Sequence, residues 1–302
     1  MTNPLQFTHG LATQGRWVLA WACQAGSRHL AHGKPCEDSV AHRFHVAGAV
    51  AIALADGISG GAAGDAASSA AVRYCTDFAD NVPQRTATRQ AQTTLWDDPA
   101  SAGSAAANHP PLQTYLNALD NCVQAAVAKH SDRAGATTLA AAWLNADGSG
   151  WLSHLGDVRA YVYTDSRVTT DTNPEARYTL QPITRDHTYA NAGEAPPHHV
   201  AADNPNRMAG NGFAGTPPLQ ALHLAPGQCL LLCSDGLHGF VDDAGIAKEM
   251  ARLRGPATSN SAAASVAKTA ASVARRLLKR AVAAGSDDDI AVQLLCYAPN
   301  QG

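Results

Sequence analysis

The sequence predicts an α/β protein whose strands form antiparallel or mixed sheets. Short apolar runs rich in β-forming residues alternate along the chain with alanine-rich stretches that are typical of helices. Several apolar runs follow one another with no room for a helix between them, which favours hairpins over repeated β-α-β units. The chain has 302 residues, of which 45% are hydrophobic and 16% are charged, and this is enough for one substantial buried core.

The elements follow from the same patterns. Strands are predicted at residues 17–25, 40–46, 48–55, 137–144, 151–155, 159–164, 219–224, 229–234 and 290–297. Helices are predicted at residues 63–80, 112–131, 242–252 and 261–284. We find no internal repeat, so a single domain over residues 1–302 is predicted.

Two long stretches carry no sustained periodicity. Residues 83–111 are polar, small and bounded by prolines, which predicts a mobile insertion between two helices. Residues 181–218 are rich in proline, asparagine and glycine. A loop of that length in a compact domain is usually functional or disordered.

The charge balance excludes some classes of partner. Lys and Arg number 22 against 25 for Asp and Glu, so the net charge is −3 and the chain lacks the broad positive field used to bind nucleic acid or anionic membranes. No apolar run approaches the roughly 18 residues of a membrane-spanning helix. A soluble, monomeric protein that binds neither nucleic acid nor membrane is expected.

The cysteines bear on the compartment. Seven cysteines, an odd number without a C-x-x-C pair, predict buried reduced thiols and a cytoplasmic protein. Residues 17–25 follow a cation, as a signal peptide would, but their apolar part is short and starts late behind a polar stretch.

Acidic residues stand at the ends of several predicted strands, mostly beside glycine. They are Glu37 and Asp38, Asp56, Asp157, Asp235 and the run Asp287-Asp288-Asp289. One Asp-Gly pair alone is ordinary turn chemistry. Several buried carboxylates that converge repel one another unless a cation neutralises them, and all-oxygen sites suit Mg²⁺ or Mn²⁺. The recurrence therefore predicts a metal site.

Six short motifs carry a family resemblance. In chain order they are CEDS (36–39), ADGISGGAAGDAAS (55–68), GATT (135–138), LGDVRAY (155–161), LLCSDGL (231–237) and DDDIAV (287–292). Together they resemble the metal-dependent protein phosphatases of type 2C (PPM), in a bacterial branch, from about residue 20 to residue 297. The resemblance implies an α-β-β-α sandwich of two mainly antiparallel central sheets flanked by helices, with the site at one edge.

The resemblance also implies roles for the acidic residues. Asp56, Asp235 and Asp288 would be the catalytic carboxylates, with Asp56 bridging two Mn²⁺ or Mg²⁺ ions and the Gly57 carbonyl as a further ligand. Glu37 and Asp38 would support the second ion, and Asp157 a third, weaker one. The implied reaction is hydrolysis of phosphoserine or phosphothreonine by a water activated between the metals. A bacterial Ser/Thr kinase or its targets would supply the substrates.

The chain departs from the family pattern at three positions. Gly33 stands where many members have a phosphate-gripping arginine, so the phosphate contact would come from Arg28 or Lys34. Ile58 replaces a histidine that is frequent after the Asp-Gly. Asp289 replaces the usual asparagine, while residues 181–218 correspond to the family's flap over the cleft.

Other functions remain open from the residues alone. Gly57-Ile58-Ser59-Gly60-Gly61 fits the G-x-S-x-G pattern of serine α/β-hydrolases, for which Asp235 and His238 would have to complete a triad. A phosphatase fold can also serve as a non-catalytic phosphoprotein-binding module. Thirteen histidines raise the possibility of zinc, although they show no H-E-x-x-H or Cys/His pairing.

Overall fold

Two antiparallel sheets stack face to face with helices on both outer surfaces. The computed structural model describes residues 7–45, 47–58, 63–78, 110–165, 178–212, 217–253 and 262–298. The predicted α-β-β-α sandwich is confirmed. Every strand pairing among these residues is antiparallel, as the adjoining apolar runs predicted.

In the part of the chain that the structure describes, the two sheets have six and five strands. The order in the first sheet is β1-β2-β11-β10-β7-β8. They are β1 (Phe7–Gln14), β2 (Trp17–Gln24), β7 (Arg159–Asp165), β8 (Tyr178–Pro182), β10 (Gln228–Cys233) and β11 (Ile290–Tyr297). The order in the second sheet is β3-β4-β5-β6-β9. They are β3 (Asp38–Phe44), β4 (Val50–Asp56), β5 (Leu139–Leu144), β6 (Ser149–Leu155) and β9 (Leu219–His223).

The helices cover the two outer faces. They are α1 (Ser27–Ala31), α2 (Gly64–Asp77), α3 (Pro110–Leu116), α4 (Leu119–Val127), α5 (Tyr189–Ala192), α6 (Asp235–His238), α7 (Asp243–Met250) and α8 (Ala262–Ala283). Helices α2 to α4 pack on the second sheet, and α7 and α8 on the first.

The strands are apolar on both faces because both faces are buried. In β4, Val50, Ile52 and Leu54 point into the core between the sheets, while Ala51, Ala53 and Ala55 point at the helices. Small residues on the helix side let α2 approach the sheet closely. This explains why the strands appear as continuous apolar runs rather than as an alternating pattern.

Some elements differ from the sequence prediction. Strand β1 was not predicted because it is a largely exposed edge strand without an apolar run. The helix predicted at 112–131 is two helices, separated by a turn at residues 117–118. Of the predicted insertion at 83–111, residues 83–109 lie outside the described residues. Within 181–218 the structure adds the short helix α5, whose first turn is capped by Thr188.

The prediction that all cysteines are reduced thiols is wrong for one pair. Cys229 and Cys296 form a disulfide between directly opposed positions of β10 and β11, with their Cα atoms 4.0 Å apart. Strand register is a tertiary property, so cysteine spacing did not indicate it. Cys229 and Cys233, four residues apart, share the helix-facing side of β10. Among the described residues, no helix is long and apolar enough to cross a membrane.

Candidate metal centre

The predicted acidic residues meet at one end of the sandwich. Asp38 opens β3 directly opposite Asp56, which closes β4. Asp235 follows β10, and Asp288 precedes the neighbouring antiparallel strand β11, so strand pairing brings them to the same end. Asp157 lies in the turn before β7, whose first residue pairs with the last residue of β10. Antiparallel pairing thus gathers residues that are up to about 250 positions apart in the chain.

The GATT motif fixes the backbone of Asp56. The Asp56 carbonyl accepts hydrogen bonds from Thr137 Oγ1 at 2.7 Å, from the Thr138 amide at 2.8 Å and from Thr138 Oγ1 at 3.3 Å. Both threonines are fully buried. The two threonines therefore hold Asp56 in place at the end of its strand.

Gly57 is a glycine because a backbone lies against it. Its amide donates to the Glu37 carbonyl at 3.1 Å, and a Cβ atom at this position would lie 2.3 Å from the carbonyl oxygen of Gly64. This contact brings the first residue of α2 against the turn that follows Asp56. The Asp-Gly pair is thus a packing requirement as well as a turn signal.

Glu37 and Asp38 are buried with oxygens left over. Asp38 is 5% exposed; its Oδ2 accepts a 2.6 Å hydrogen bond from Ser234 Oγ, and its Oδ1 has no partner among the described residues. Glu37 is 7% exposed, and its Oε2 has no hydrogen bond, with His29 Nε2 at 3.5 Å. Buried carboxylate oxygens without donors are costly unless a ligand compensates them.

The electrostatics show that the carboxylates crowd one another. Burial and the charge of Asp38 raise the pKa of Asp56 well above its ordinary value. Burial and the charge of Asp235 raise the pKa of Asp157 to about 7. Burial and the charge of Asp288 raise the pKa of Asp235 to about 6. A divalent cation at this position would reverse all of these shifts, because it favours the ionised carboxylates.

Two cations, Arg28 and Lys34, were predicted to contact phosphate. Of these, Arg28 contacts the acidic residues. Its Nη2 lies 2.7 Å from Oδ2 of Asp288, and both side chains are partly exposed, at 46% and 27%. Lys34 lies exposed in the turn after α1. Arg28 is therefore positioned beside the carboxylates with part of its guanidinium open to an incoming group.

A family match accompanies this geometry. The sequence model of the family described as Protein phosphatase 2C matches residues 25–271, which is most of the chain.

The chain belongs to the protein phosphatase 2C family.

Three solved bacterial proteins have a similar fold. The Streptococcus agalactiae serine/threonine phosphatase is 18% identical, with a TM-score of 0.59 over 96% of this chain and 99% of its own. The Mycobacterium tuberculosis phosphatase PstP/Ppp is 22% identical, with a TM-score of 0.56 over 93% and 99%. Pseudomonas aeruginosa PppA, described as a key regulatory component of the T6SS, is 23% identical, with a TM-score of 0.56 over 93% and 98%. These likenesses establish the fold. No curated protein matches the chain.

The donor set of this protein phosphatase 2C member fits hard divalent cations. Within the described ranges, no three His, Cys, Asp or Glu side chains already surround one point closely enough to hold an ion. The residues nevertheless offer oxygen ligands only, including the unpartnered Glu37 Oε2 and Asp38 Oδ1, and they carry excess buried negative charge. Among the described residues, no cluster of histidines is arranged to hold zinc.

Within the run Asp287-Asp288-Asp289, the last two residues differ in exposure and in partners. Asp288 is partly exposed and contacts Arg28, whereas Asp289 is 3% exposed and accepts hydrogen bonds from two backbone amides. Asp288 is therefore the member of this pair that is open to solvent and to Arg28, while Asp289 is enclosed by backbone donors.

Sequence reasoning missed the residues that support the acidic side chains. Ser234, Thr137 and Thr138 belong to quoted motifs, but their roles depend on hydrogen bonds between strands. His29 is one of thirteen histidines, and nothing in the sequence distinguishes it from the others, whereas in the structure it is buried against Glu37 and Asp289. For Ser234, Thr137 and Thr138, the only signal in the sequence is that they belong to the motifs LLCSDGL and GATT.

Proposed function

We propose that the protein is a metal-dependent serine/threonine protein phosphatase that hydrolyses phosphoserine and phosphothreonine in proteins. The observation that carries this proposal is the meeting of buried and half-buried carboxylates at one end of the sandwich. The half-buried Asp56, Asp157 and Asp235 have raised pKa values. The buried Glu37 and Asp38 each have an oxygen left without a donor. The fold and the family membership support it.

Asp56, the Gly57 carbonyl, Asp235 and Asp288 would hold the first of two or three Mn²⁺ or Mg²⁺ ions. Asp56 with Glu37 and Asp38 would hold the second ion, and Asp157 with Asp235 a weaker third. When bound, the metals supply Lewis-acid activation of a water molecule and neutralise charge on the phosphoryl oxygens.

The chain's own residues orient these groups. Thr137 and Thr138 hold the backbone of Asp56, and Ser234 holds one oxygen of Asp38. Arg28 has donors available for a phosphoryl oxygen beside Asp288, and a guanidinium suits that contact because its donors match phosphate geometry. No side chain is needed as a nucleophile in this scheme.

The flap at residues 181–218 is proposed to govern substrate access. Its described part is tied to the turn that carries Asp157, since the His187 amide donates to the Gly156 carbonyl at 2.8 Å. We propose phosphorylated proteins as substrates, with a bacterial Ser/Thr kinase or its targets as the source. Replacing the flap without changing the rates on several phosphoproteins would contradict its role in selectivity.

The first alternative is a serine hydrolase that uses Ser59, a residue outside the described ranges. The base it would need is engaged elsewhere, because His238 Nε2 donates to the Asp157 carbonyl at 2.8 Å. Burial lowers the pKa of His238 to about 4. The second alternative is a non-catalytic phosphoprotein-binding module. Such a module would not need the metal-ligating carboxylates Asp56, Asp235 and Asp288, which this chain has.

One comparison of substrates and inhibitors tests these options. We expect phosphate release from phosphoserine and phosphothreonine peptides with Mn²⁺ present, no labelling by a fluorophosphonate, and retained activity in Ser59→Ala. Fluorophosphonate labelling lost in Ser59→Ala would favour the hydrolase. Tight binding of phosphopeptides without any release of phosphate would favour the binding module.

A further inference from the structure

Three buried side chains, those of His29, Asp289 and Glu37, form a connected network next to the candidate metal centre. His29, on α1, is 4% exposed, and its Nδ1 lies 2.8 Å from Oδ2 of Asp289. Its other ring nitrogen, Nε2, lies 3.5 Å from Oε2 of Glu37. The imidazole therefore stands between two carboxylates, one of which is predicted to face a metal and one of which is not.

Asp289 is an acceptor for three donors. Its Oδ1 accepts from the Gly26 amide at 2.6 Å, and its Oδ2 accepts from the Glu37 amide at 2.5 Å and from His29. An asparagine has one acceptor oxygen and one donor amino group, so it would place an N–H group against one of these donors. This requirement explains why the chain carries an aspartate where the family resemblance leads one to expect asparagine.

The Glu37 side chain is confined from the other side by α2. A Cβ atom on Gly64 would lie 2.9 Å from Cδ of Glu37 and 3.0 Å from its Oε1. The carboxylate is thus held between the first residue of α2 and the His29 ring. Its Oε2 keeps no hydrogen bond among the described residues, so it is left as a potential ligand.

We propose that His29 and Asp289 are positioning residues that set the Glu37 carboxylate for the second Mn²⁺ or Mg²⁺ without binding either ion themselves. Asp289 fixes the ring of His29 and, through the Glu37 amide, the backbone of Glu37; the ring then limits where the carboxylate can lie. This inference rests on the proposed function, since it assigns a role toward the metals. Supporting residues of this kind orient ligands and tune affinity in metal sites.

Metal affinity of the full-length, chelator-stripped protein is the direct test. Isothermal titration calorimetry with MnCl₂ is expected to show about 10–100-fold weaker binding in His29→Gln and in Asp289→Asn. Two matched controls are expected to bind Mn²⁺ as the unsubstituted protein does. His32→Gln removes an exposed histidine of the following turn, whose ring bonds to the Arg28 carbonyl. Asp132→Asn makes the same charge change at an exposed aspartate outside the acidic set.

Coupling to Glu37 separates positioning from general damage. If His29 acts through Glu37, the Mn²⁺ affinity of His29→Gln/Glu37→Gln equals that of Glu37→Gln alone. At saturating Mn²⁺, the rate of phosphate release by His29→Gln returns to near that of the unsubstituted protein, because the residue touches no reacting atom. Additive losses of affinity in the double variant would overturn the proposal.

Thermal unfolding followed by circular dichroism identifies a purely structural role. Variants that melt earlier but bind Mn²⁺ normally below their melting temperature would overturn the proposal. If Asp289→Asn does not fold, His29→Gln and the double variant decide the outcome. An unsubstituted protein that neither binds Mn²⁺ nor releases phosphate would refute the proposed function itself, whereas normal activity with unchanged affinity in the variants refutes only this inference.

Discussion

Ser234 and Asp38 join the two sheets at the candidate metal centre. The Ser234 hydroxyl, at the end of β10, donates a 2.6 Å hydrogen bond to Oδ2 of Asp38 on β3 and accepts one from the Ala291 amide at 2.9 Å. Ser234 is fully buried and Asp38 is 5% exposed. The hydroxyl thus fixes a carboxylate of the second sheet from a strand of the first, and leaves the other oxygen of Asp38 for a ligand.

Ser234→Ala is expected to weaken Mn²⁺ binding by about 10–100-fold, because Asp38 loses the donor that orients it. We also expect a loss of about 1–2 kcal/mol in the free energy of unfolding, since two buried groups lose a partner. Ser39→Ala is the matched control, because the Ser39 hydroxyl pairs with Ser68 rather than with a carboxylate. Equal Mn²⁺ affinity in the two variants, measured by calorimetry, would contradict the role of Ser234.

Gly57→Ala is expected to damage both folding and metal binding. The added Cβ would lie 2.3 Å from the Gly64 carbonyl oxygen, so α2 or the turn after Asp56 must shift. Gly193→Ala serves as the comparison, because Gly193 has positive φ and open space around it, and there the cost is backbone strain of about 1 kcal/mol. Urea unfolding measures both, and a Gly57→Ala variant no less stable than Gly193→Ala would show that this contact is not required.

The metal-free protein is expected to lose stability as the pH rises from about 5 to 7.5. Asp157 and Asp235 have folded pKa values raised to about 7 and about 6, so the folded state holds protons that the unfolded state releases near pH 4. Stability therefore falls as pH rises through the folded pKa values. Melting temperatures in excess chelator should show this decline, and Asp157→Asn should reduce it. A melting temperature that does not change over this pH range would contradict the raised pKa values of Asp157 and Asp235.

Glu249 links α7 to α8 and titrates in the opposite sense. Burial alone would raise its pKa, but the hydrogen bond from Arg276 at 2.7 Å and the nearby charge of Arg252 outweigh it, so the net pKa lies below the ordinary value. The stabilisation that ionised Glu249 gives to the folded state is fully present above about pH 4.5, which is the pKa of this group in the unfolded chain. It is lost as the pH falls through the lower pKa that Glu249 has in the folded state.

Glu249→Gln is accordingly expected to cost about 1–2 kcal/mol at pH 7, a figure reduced for the partly exposed arginines, and little near pH 3. Asp77→Asn breaks the exposed pair with Arg43 and should cost less than about 0.5 kcal/mol. Denaturant unfolding at both pH values checks this difference. If Asp77→Asn lowered the free energy of unfolding more than Glu249→Gln does, burial would not explain the strength of the Glu249 ion pairs.

Most strands followed from the sequence because they depend on local apolar runs, whereas the two-sheet sandwich was what the family resemblance implied. The edge strand β1 and the division of the helix predicted at 112–131 did not follow from the sequence, because packing rather than periodicity decides them. The acidic set was predictable because each member stands at the end of an apolar strand or beside glycine. The Cys229–Cys296 disulfide and the supports from Ser234 and His29 require strand register and side-chain direction, which one sequence does not display.

The central claim is that phosphate release depends on metals held by these carboxylates. Its most direct test is phosphate release from a phosphothreonine peptide, measured while MnCl₂ is titrated into the chelator-stripped protein. We expect no release in excess chelator, recovery with Mn²⁺ or Mg²⁺, near-complete loss in Asp56→Ala, Asp235→Ala and Asp288→Ala, and a milder defect in Asp157→Ala. Full activity in excess chelator, or an active Asp56→Ala variant, would contradict the claim.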